Sequence, residues 1–160
     1  MAQPINQETE TNRRPYAGTP GKPKAWIFDI DGTLALNRSG RSFYDMTRVG
    51  EDDPNPAVVQ LARALHAQNL TILVVSGRWG DGRLSTEQWL KCHVGDWATK
   101  HLHMRETDDH RPDDIVKHEI FDNAIRDHFD VVGVVDDRNS VVAFWRSLGL
   151  TCLQAAPGDF

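Results

Sequence analysis

Two carboxylates one residue apart, Asp29 and Asp31, stand at the end of the apolar run Trp26-Ile27-Phe28, and Gly32 and Thr33 follow at once. Two acidic side chains delivered to one spot suit two kinds of chemistry. Hard divalent cations such as Mg2+ take oxygen ligands and are held by one or two carboxylates together with phosphate oxygens of a substrate. An aspartate can also attack phosphorus and become an aspartyl-phosphate, while its neighbour protonates the leaving oxygen and later deprotonates water. The plainer reading of the same residues is a strand running into an Asp-Gly turn.

Those two readings differ in what they require elsewhere. Ala25–Ile30 reads as a strand, Asn55-Pro56 opens a helix with Val58, Val59, Leu61, Ala62 and Leu65 on one face, and Leu70–Val75 is a β-branched buried strand. Ser85–His93 reads as a helix, with Ser85 and Gln88 spaced as a capping box. His101–Arg105 is a third strand, Pro112–His128 a long helix, Val131–Val135 a fourth strand, Val141–Leu148 a helix and Thr151–Gln154 a fifth strand. Alternating strands and helices imply an α/β fold, a parallel sheet with helices on both faces. Ligands of such sheets gather outside the carboxyl ends of the strands, so an active site at Asp29 demands polar residues at other strand ends.

Two further strand ends meet that demand. The second strand runs into Ser76-Gly77-Arg78: a hydroxyl, a permissive glycine and a guanidinium whose fork fits phosphate oxygens. The fourth runs into Asp136-Asp137-Arg138, adjacent carboxylates that are costly after an apolar strand unless solvated, paired or bound to a cation; stabilisation by a helix N-terminus is the alternative. Lys117 follows Asp113 by four residues in the long helix, which suits either an exposed ion pair or a fixed positive charge aimed at a phosphoryl group.

Asp29-x-Asp31-x-Thr33, Ser76-Gly77-Arg78, Lys117 and Asp136-Asp137 together resemble the four motifs of the haloacid dehalogenase superfamily of phosphotransferases. Gly40-Arg41, Tyr44-Asp45, Met104-Arg105, Arg111-Pro112-Asp113-Asp114, Phe144-Trp145-Arg146 and Gln154 to Phe160 are similar to the phosphatase domain of bacteriophage polynucleotide kinase–phosphatase. The resemblance runs from about Pro23 to Phe160. It implies a Rossmann-like five-stranded sheet of order 3-2-1-4-5 with a minimal cap, and a Mg2+-dependent phosphatase of 3′-phosphorylated DNA or RNA ends, some of whose relatives open 2′,3′-cyclic phosphates.

By position, the resemblance makes Asp29 the nucleophile and Asp31 the general acid and base. Asp29, Asp31 through its main-chain carbonyl, Asp136 and Asp137 would hold the metal. Thr33, Ser76, Gly77 and Lys117 would surround the transferring phosphate, and Arg41 and Arg78 would meet its oxygens. Asp113 would orient Lys117 or a neighbouring arginine. Like charge around Asp31 is expected to raise its pKa. The bacteriophage enzyme carries a 5′-kinase domain before its phosphatase; only a short stretch without a phosphate loop precedes Lys24 here, so the expectation is either a separate kinase or ligase partner or a chain that is a shortened piece of a larger protein. A phosphatase of free nucleotides and a non-catalytic end-binding module are the competing functions.

Bulk properties agree with such a protein. The 160 residues suit one domain, preceded by a tail over residues 1–23 that lacks periodicity. A net charge of −5 excludes a protein that coats nucleic acid along its length, but not one that handles an end. Neither a signal peptide nor an apolar run of membrane-spanning length is visible, and two cysteines, Cys92 and Cys152, read as reduced and packed, so a cytoplasmic setting is expected. Between Leu34 and Asp53, Arg38, Arg41 and Arg48 alternate with Phe43 and Tyr44, which suits either a phosphate backbone with a stacked terminal base or a solvated loop. His101 and His103 read as ordinary strand residues, and Trp79 as core or as a wall of the substrate path.

Overall fold

A computed structural model describes residues 13–160; the first half of the expected tail lies outside the described residues. In chain order the elements are β1 (Lys24–Phe28), β2 (Ala35–Leu36), β3 (Asp53–Pro54), α1 (Pro56–Ala67), β4 (Thr71–Trp79), α2 (Arg83–His93), β5 (Leu102–Arg105), α3 (Asp113–Ile120), β6 (Asp130–Asp136), α4 (Asn139–Ser147) and β7 (Cys152–Gln154). Five strands pair in parallel in the order β5-β4-β1-β6-β7, which is the expected third-second-first-fourth-fifth arrangement.

The period of two along each strand splits the core into two layers. Phe28, Ile72, Val74 and Val135 face α1 and α2, together with Val59, Ala62, Trp89 and Leu90. Ala25, Ile27, Leu73, Val75 and Val134 face the other way, against Phe121, Ile125, Val141, Phe144 and Trp145. Because both faces of the central strands are covered, their sequences are apolar throughout rather than alternating. The chain reverses its direction of winding between β1 and β6, which puts the ends of these two strands at the topological switch point.

The sequence reading of several local features is corrected by their surroundings. Helix α2 starts at Arg83, after Gly82, and Ser85 is no cap; its hydroxyl donates to the carbonyls of Gly82 and Met46. The long helix is α-helical only to Ile120 and widens into a π-helical turn over Phe121–Ile125. Strands β2 and β3 form a small antiparallel ribbon at the base of the connection between Leu36 and Asp53, the lid, and are too short to show a period in sequence. Cys92 is exposed rather than packed, whereas Cys152 is buried.

Residues 13–23 are not a loose tail. Tyr16 is buried against Phe121, its ring edge-on at 5.3 Å. Its hydroxyl accepts from the backbone N–H of Val131 at 2.8 Å and donates to the carbonyl of Phe129 at 3.1 Å. Arg126 binds the carbonyls of Arg14 and Pro15, and Arg13 lies over the ring of Phe144 and pairs with Asp114 at 2.9 Å. Low periodicity hid this strap, since it follows the surface of the fold rather than forming an element.

Replacing Tyr16 with phenylalanine keeps the packing but orphans the buried N–H of Val131. The expected loss is about 1–2 kcal/mol of unfolding free energy, seen in urea as a lower midpoint with an unchanged slope; an unaltered midpoint would detach the strap from the folded unit.

Candidate active site

Asp29 lies one residue past β1, where Ile30, Gly32 and Ala35 close a tight turn through backbone hydrogen bonds. Gly32 has a φ of +81°, and a β-carbon there would run into the carboxylate of Asp137, so only glycine lets these two strand ends approach. A second glycine acts from the other side: Gly158 is pressed against the backbone of Asp137 and Arg138, and its carbonyl accepts from Asn139 N–H at 2.9 Å.

Three acidic groups converge there. Carboxylate oxygens of Asp29, Asp136 and Asp137 lie within 4.8 Å of one another, all three residues buried. The ammonium of Lys117, delivered by α3 and 2% exposed, donates to Asp29 Oδ1 at 2.7 Å and Asp136 Oδ2 at 2.8 Å. Its long-range partners settle the choice left open in the sequence against an exposed pair with Asp113. Burial alone would lower the pKa of Lys117, but Asp136 and Asp29 outweigh it and hold it well above the ordinary value. Burial pushes Asp29 well above the carboxylate range, with Lys117 opposing and the two neighbouring aspartates adding to it. Asp137 is raised by burial and then by Asp136, to about 6.

One lysine against three carboxylates leaves excess negative charge in a place shielded from water. Asp136 is already engaged at both oxygens, by the Asp137 N–H at 2.9 Å, by Lys117, and by Trp145 Nε1 at 3.3 Å. Asp137 has only the distant hydroxyl of Thr33, at 3.5 Å, which also donates to Asp29 at 3.3 Å. An all-oxygen donor set with uncompensated charge fits a hard divalent cation, with Asp137 and Asp29 the more open ligands. Among the described residues this is the one such cluster, and His101 and His103 take no part in it.

Asp31 is placed differently. Its oxygens face guanidinium groups, not the like charge expected from sequence: Arg78 Nε and Nη2 donate at 2.9 and 2.8 Å, and Arg41 Nη2 at 3.3 Å. Both arginines are in turn held by Asp52, at 2.8 Å from Arg78 and 2.6 Å from Arg41. The side chains of Arg41 and Asp52 are wholly buried, so Arg41 braces Asp31 from behind. The Asp31 side chain is thus kept out of the acidic cluster. Ser76 is buried and accepts from the Arg78 N–H at 3.2 Å, which shapes the loop, and Gly77 lines the cleft itself. Asp113 does not touch Lys117; it pairs with Arg105 and, at 3.2 Å, with Arg138.

Asp52, Arg105 and Trp145 were absent from the expected site. Asp52 sits inside the acidic run Glu51-Asp52-Asp53 and carries no local mark of burial. Arg105 did carry a signal, because it ends β5 just as Arg78 stands near the end of β4. It is buried and binds the carbonyls of Gly77, Asp109 and Arg111 as well as Asp113, which ties a strand end, a loop and the start of α3 together. Asp29, Asp31, Arg78, Arg105, Lys117 and Asp137 are among the residues that line a cleft of about 320 Å³, whereas Asp52 and Trp145 act on it from behind.

A Lys-buttressed aspartate, a partly open acidic pair and a guanidinium-held second aspartate are an arrangement that can support phosphoryl transfer, and comparison with known proteins gives the family. Residues 23–160 match the family described as the polynucleotide kinase PNKP phosphatase domain. A protein of Autographa californica nuclear polyhedrosis virus, described as a candidate bifunctional polynucleotide kinase/RNA ligase, is 35% identical over 128 residues, 79% of this chain and 18% of its own length. A chain in the solved Pnkp1/Rnl/Hen1 complex is 36% identical with a TM-score of 0.85, covering 99% of this chain and 55% of its own. The chain therefore spans little more than half of one of these relatives and less than a fifth of the other. A class C acid phosphatase from Bacillus anthracis, at 14% identity, TM-score 0.60 and coverage of 86% and 67%, shares the fold. The chain belongs to the PNKP phosphatase-domain family.

Proposed function

We propose that this protein is a Mg2+-dependent polynucleotide 3′-phosphatase that prepares DNA or RNA ends for joining. The observation that carries the reading is the separation of the two motif aspartates: Asp29 lies beside Lys117 and Asp31 beside Arg78, two residues apart in sequence but in different charge environments. The membership of the family supports a nucleic-acid end as substrate, and the relative named for kinase and RNA ligase functions, with the similar chain of a Pnkp1/Rnl/Hen1 RNA repair complex, supports a repair setting in which kinase and ligase activities act alongside the phosphatase.

In this reading a carboxylate oxygen of Asp29 attacks the phosphorus of the 3′-phosphate, the bond from phosphorus to O3′ breaks, and Asp31 gives O3′ its proton. Asp31 then takes a proton from water, the water oxygen attacks the phosphorus of the aspartyl-phosphate, and the Asp29 carboxylate is released with inorganic phosphate. Thr33 and the Lys117 ammonium stabilise charge on the phosphoryl oxygens, a preorganised electrostatic role. The incoming phosphate competes with Asp31 for the Arg78 fork, which frees the acid where it is needed; Arg41 and Asp52 hold the fork in place. Asp29, Asp136 and Asp137 would hold Mg2+, with the main-chain carbonyl of Asp31 a fourth ligand by resemblance. When bound, the ion neutralises the attacking carboxylate and the phosphate.

Asp29→Asn should lower phosphate release by roughly 10⁴-fold or more while circular dichroism and melting stay near wild type. Substantial turnover in this variant would refute the nucleophile. A 3′-phosphorylated oligonucleotide should be hydrolysed with a higher kcat/KM than a nucleoside 3′-monophosphate, and the reverse order would assign the site to free nucleotides. The rate should peak at acidic to neutral pH, since a rate climbing steadily above pH 8 is incompatible with an acid role for Asp31.

Cation binding has its own pH signature. Asp137 titrates at about 6 in the folded protein, above the ordinary 3.8, so without a cation the folded state keeps a proton that the unfolded chain has lost. That contribution to stability is present below the ordinary pKa and disappears as pH rises through about 6. Binding of Mg2+ needs the ionised form, so its stabilisation runs the other way. At saturating Mg2+ the melting temperature should rise by about 5 °C or more at pH 7.5 and hardly at all at pH 5, relative to EDTA; equal shifts at both pH values would remove Asp137 from the ligand set.

A further inference from the structure

Large aromatic side chains are normally buried, and an exposed group of them marks a binding surface. Among the described residues the exposed ones are Phe43, Tyr44 and Phe160, at 54, 67 and 65% of full exposure, and all three line the cleft that holds Asp29. The other exposed large apolar residues, Leu84, Val132 and Leu153, are aliphatic and lie outside it.

The aromatic groups form two surfaces on different elements. On the first, the ring of Tyr44, from the lid, packs at 5.3 Å from Trp79 at the end of β4. Trp79 meets His110 edge-on at 5.2 Å, and its Nε1 donates to the Asp109 carbonyl at 3.3 Å, which fixes the indole plane. On the second, the Arg138 guanidinium lies over the Phe160 ring at 4.8 Å and is oriented by Asp113 at 3.2 Å. Gly158, pressed on the Asp137 backbone, holds Phe160 beside the acidic cluster. The basic lid residues proposed from sequence do not line the cleft: Arg38 meets Asp53 at 4.0 Å, Arg41 is buried against Asp52, and Arg48 is paired with Glu51 at 2.6 Å.

We infer that these two surfaces stack the bases of the last nucleotides of a 3′ end, so that recognition rests on base faces rather than on base edges or a basic groove. Flat, apolar rings set by hydrogen bonds suit any of the bases, because each has a π-face, and the Arg138–Phe160 pair adds a cationic plane of the same kind. The net charge of −5 agrees, since stacking needs no basic field. A terminal base held in this way is unstacked from a duplex, so unpaired ends are the favoured form. The inference rests on the polynucleotide 3′-phosphatase reading and adds the recognition residues to it.

The test compares a single-stranded 3′-phosphorylated oligonucleotide with the same strand carrying tetrahydrofuran abasic residues at its last two positions. For wild type, the ratio of kcat/KM between the two should be roughly 10 or more, as expected for stacking of one or two bases. Trp79→Ala and Phe160→Ala should each bring that ratio down by about 5-fold, whereas Trp79→Phe, which keeps the ring but not the bond to Asp109, should retain it. A wild-type ratio near one, or a ratio unmoved by both alanine variants, overturns the inference. Loss of discrimination in Trp79→Phe equal to that in Trp79→Ala overturns the stacking role of Trp79 in favour of a purely structural one. Glycerol 2-phosphate separates the two levels: release of phosphate from it by wild type, with none from either oligonucleotide, defeats the polynucleotide reading and the inference with it.

Discussion

Three carboxylates removed from water around one ammonium impose a constraint that the rest of the fold answers. Asp29, Asp136 and Asp137 repel one another, and burial raises the cost of each charge. Lys117 reduces that cost because α3 delivers it, 2% exposed, with its ammonium donating to Asp29 and Asp136. Parallel β1 and β6 bring the acids together, and glycines at 32 and 158 allow the approach from two sides. The residual negative charge suits a hard divalent cation, as proposed above.

A second charged group solves a different problem. Asp31 and Asp52 alternate with Arg41 and Arg78, so that every charge has a neighbour of opposite sign. Balanced in this way, the quartet tolerates burial, and it keeps Asp31 electrically apart from Asp29 two residues away. Identical side chains acquire separate charge environments through their surroundings rather than through position in the motif.

The strands and the acids at their ends were readable because each leaves a local mark, an apolar run followed at once by polar residues, whereas the order of the sheet came from the resemblance to a known family. Lys117 was ambiguous, since its i−4 aspartate offered a local partner and only the packing of α3 reveals the distant ones. Asp52 was not readable, as nothing in an acidic loop shows that one of three adjacent acids turns inward. Arg41 was recognised, but its burial between Asp31 and Asp52 has no local mark; Phe43, Tyr44 and Trp79 stood out as aromatic residues near the site, whereas the pairing of Tyr44 with Trp79 and of Arg138 with Phe160 depends on contacts between separate segments that no local pattern records.

The strap from Arg13 to Pro23 bears on how such proteins are divided. The match to the family begins at residue 23, where the first strand is about to start. Physically the folded unit begins at least ten residues earlier, because Tyr16 fills a place in the core and Arg126 grips the backbone before it. A boundary drawn from sequence similarity alone would cut through packed material and expose the flank of Phe121 to water. Where a relative is larger than this chain, the seam between its parts should be sought upstream of Arg13 rather than at the edge of the matching region.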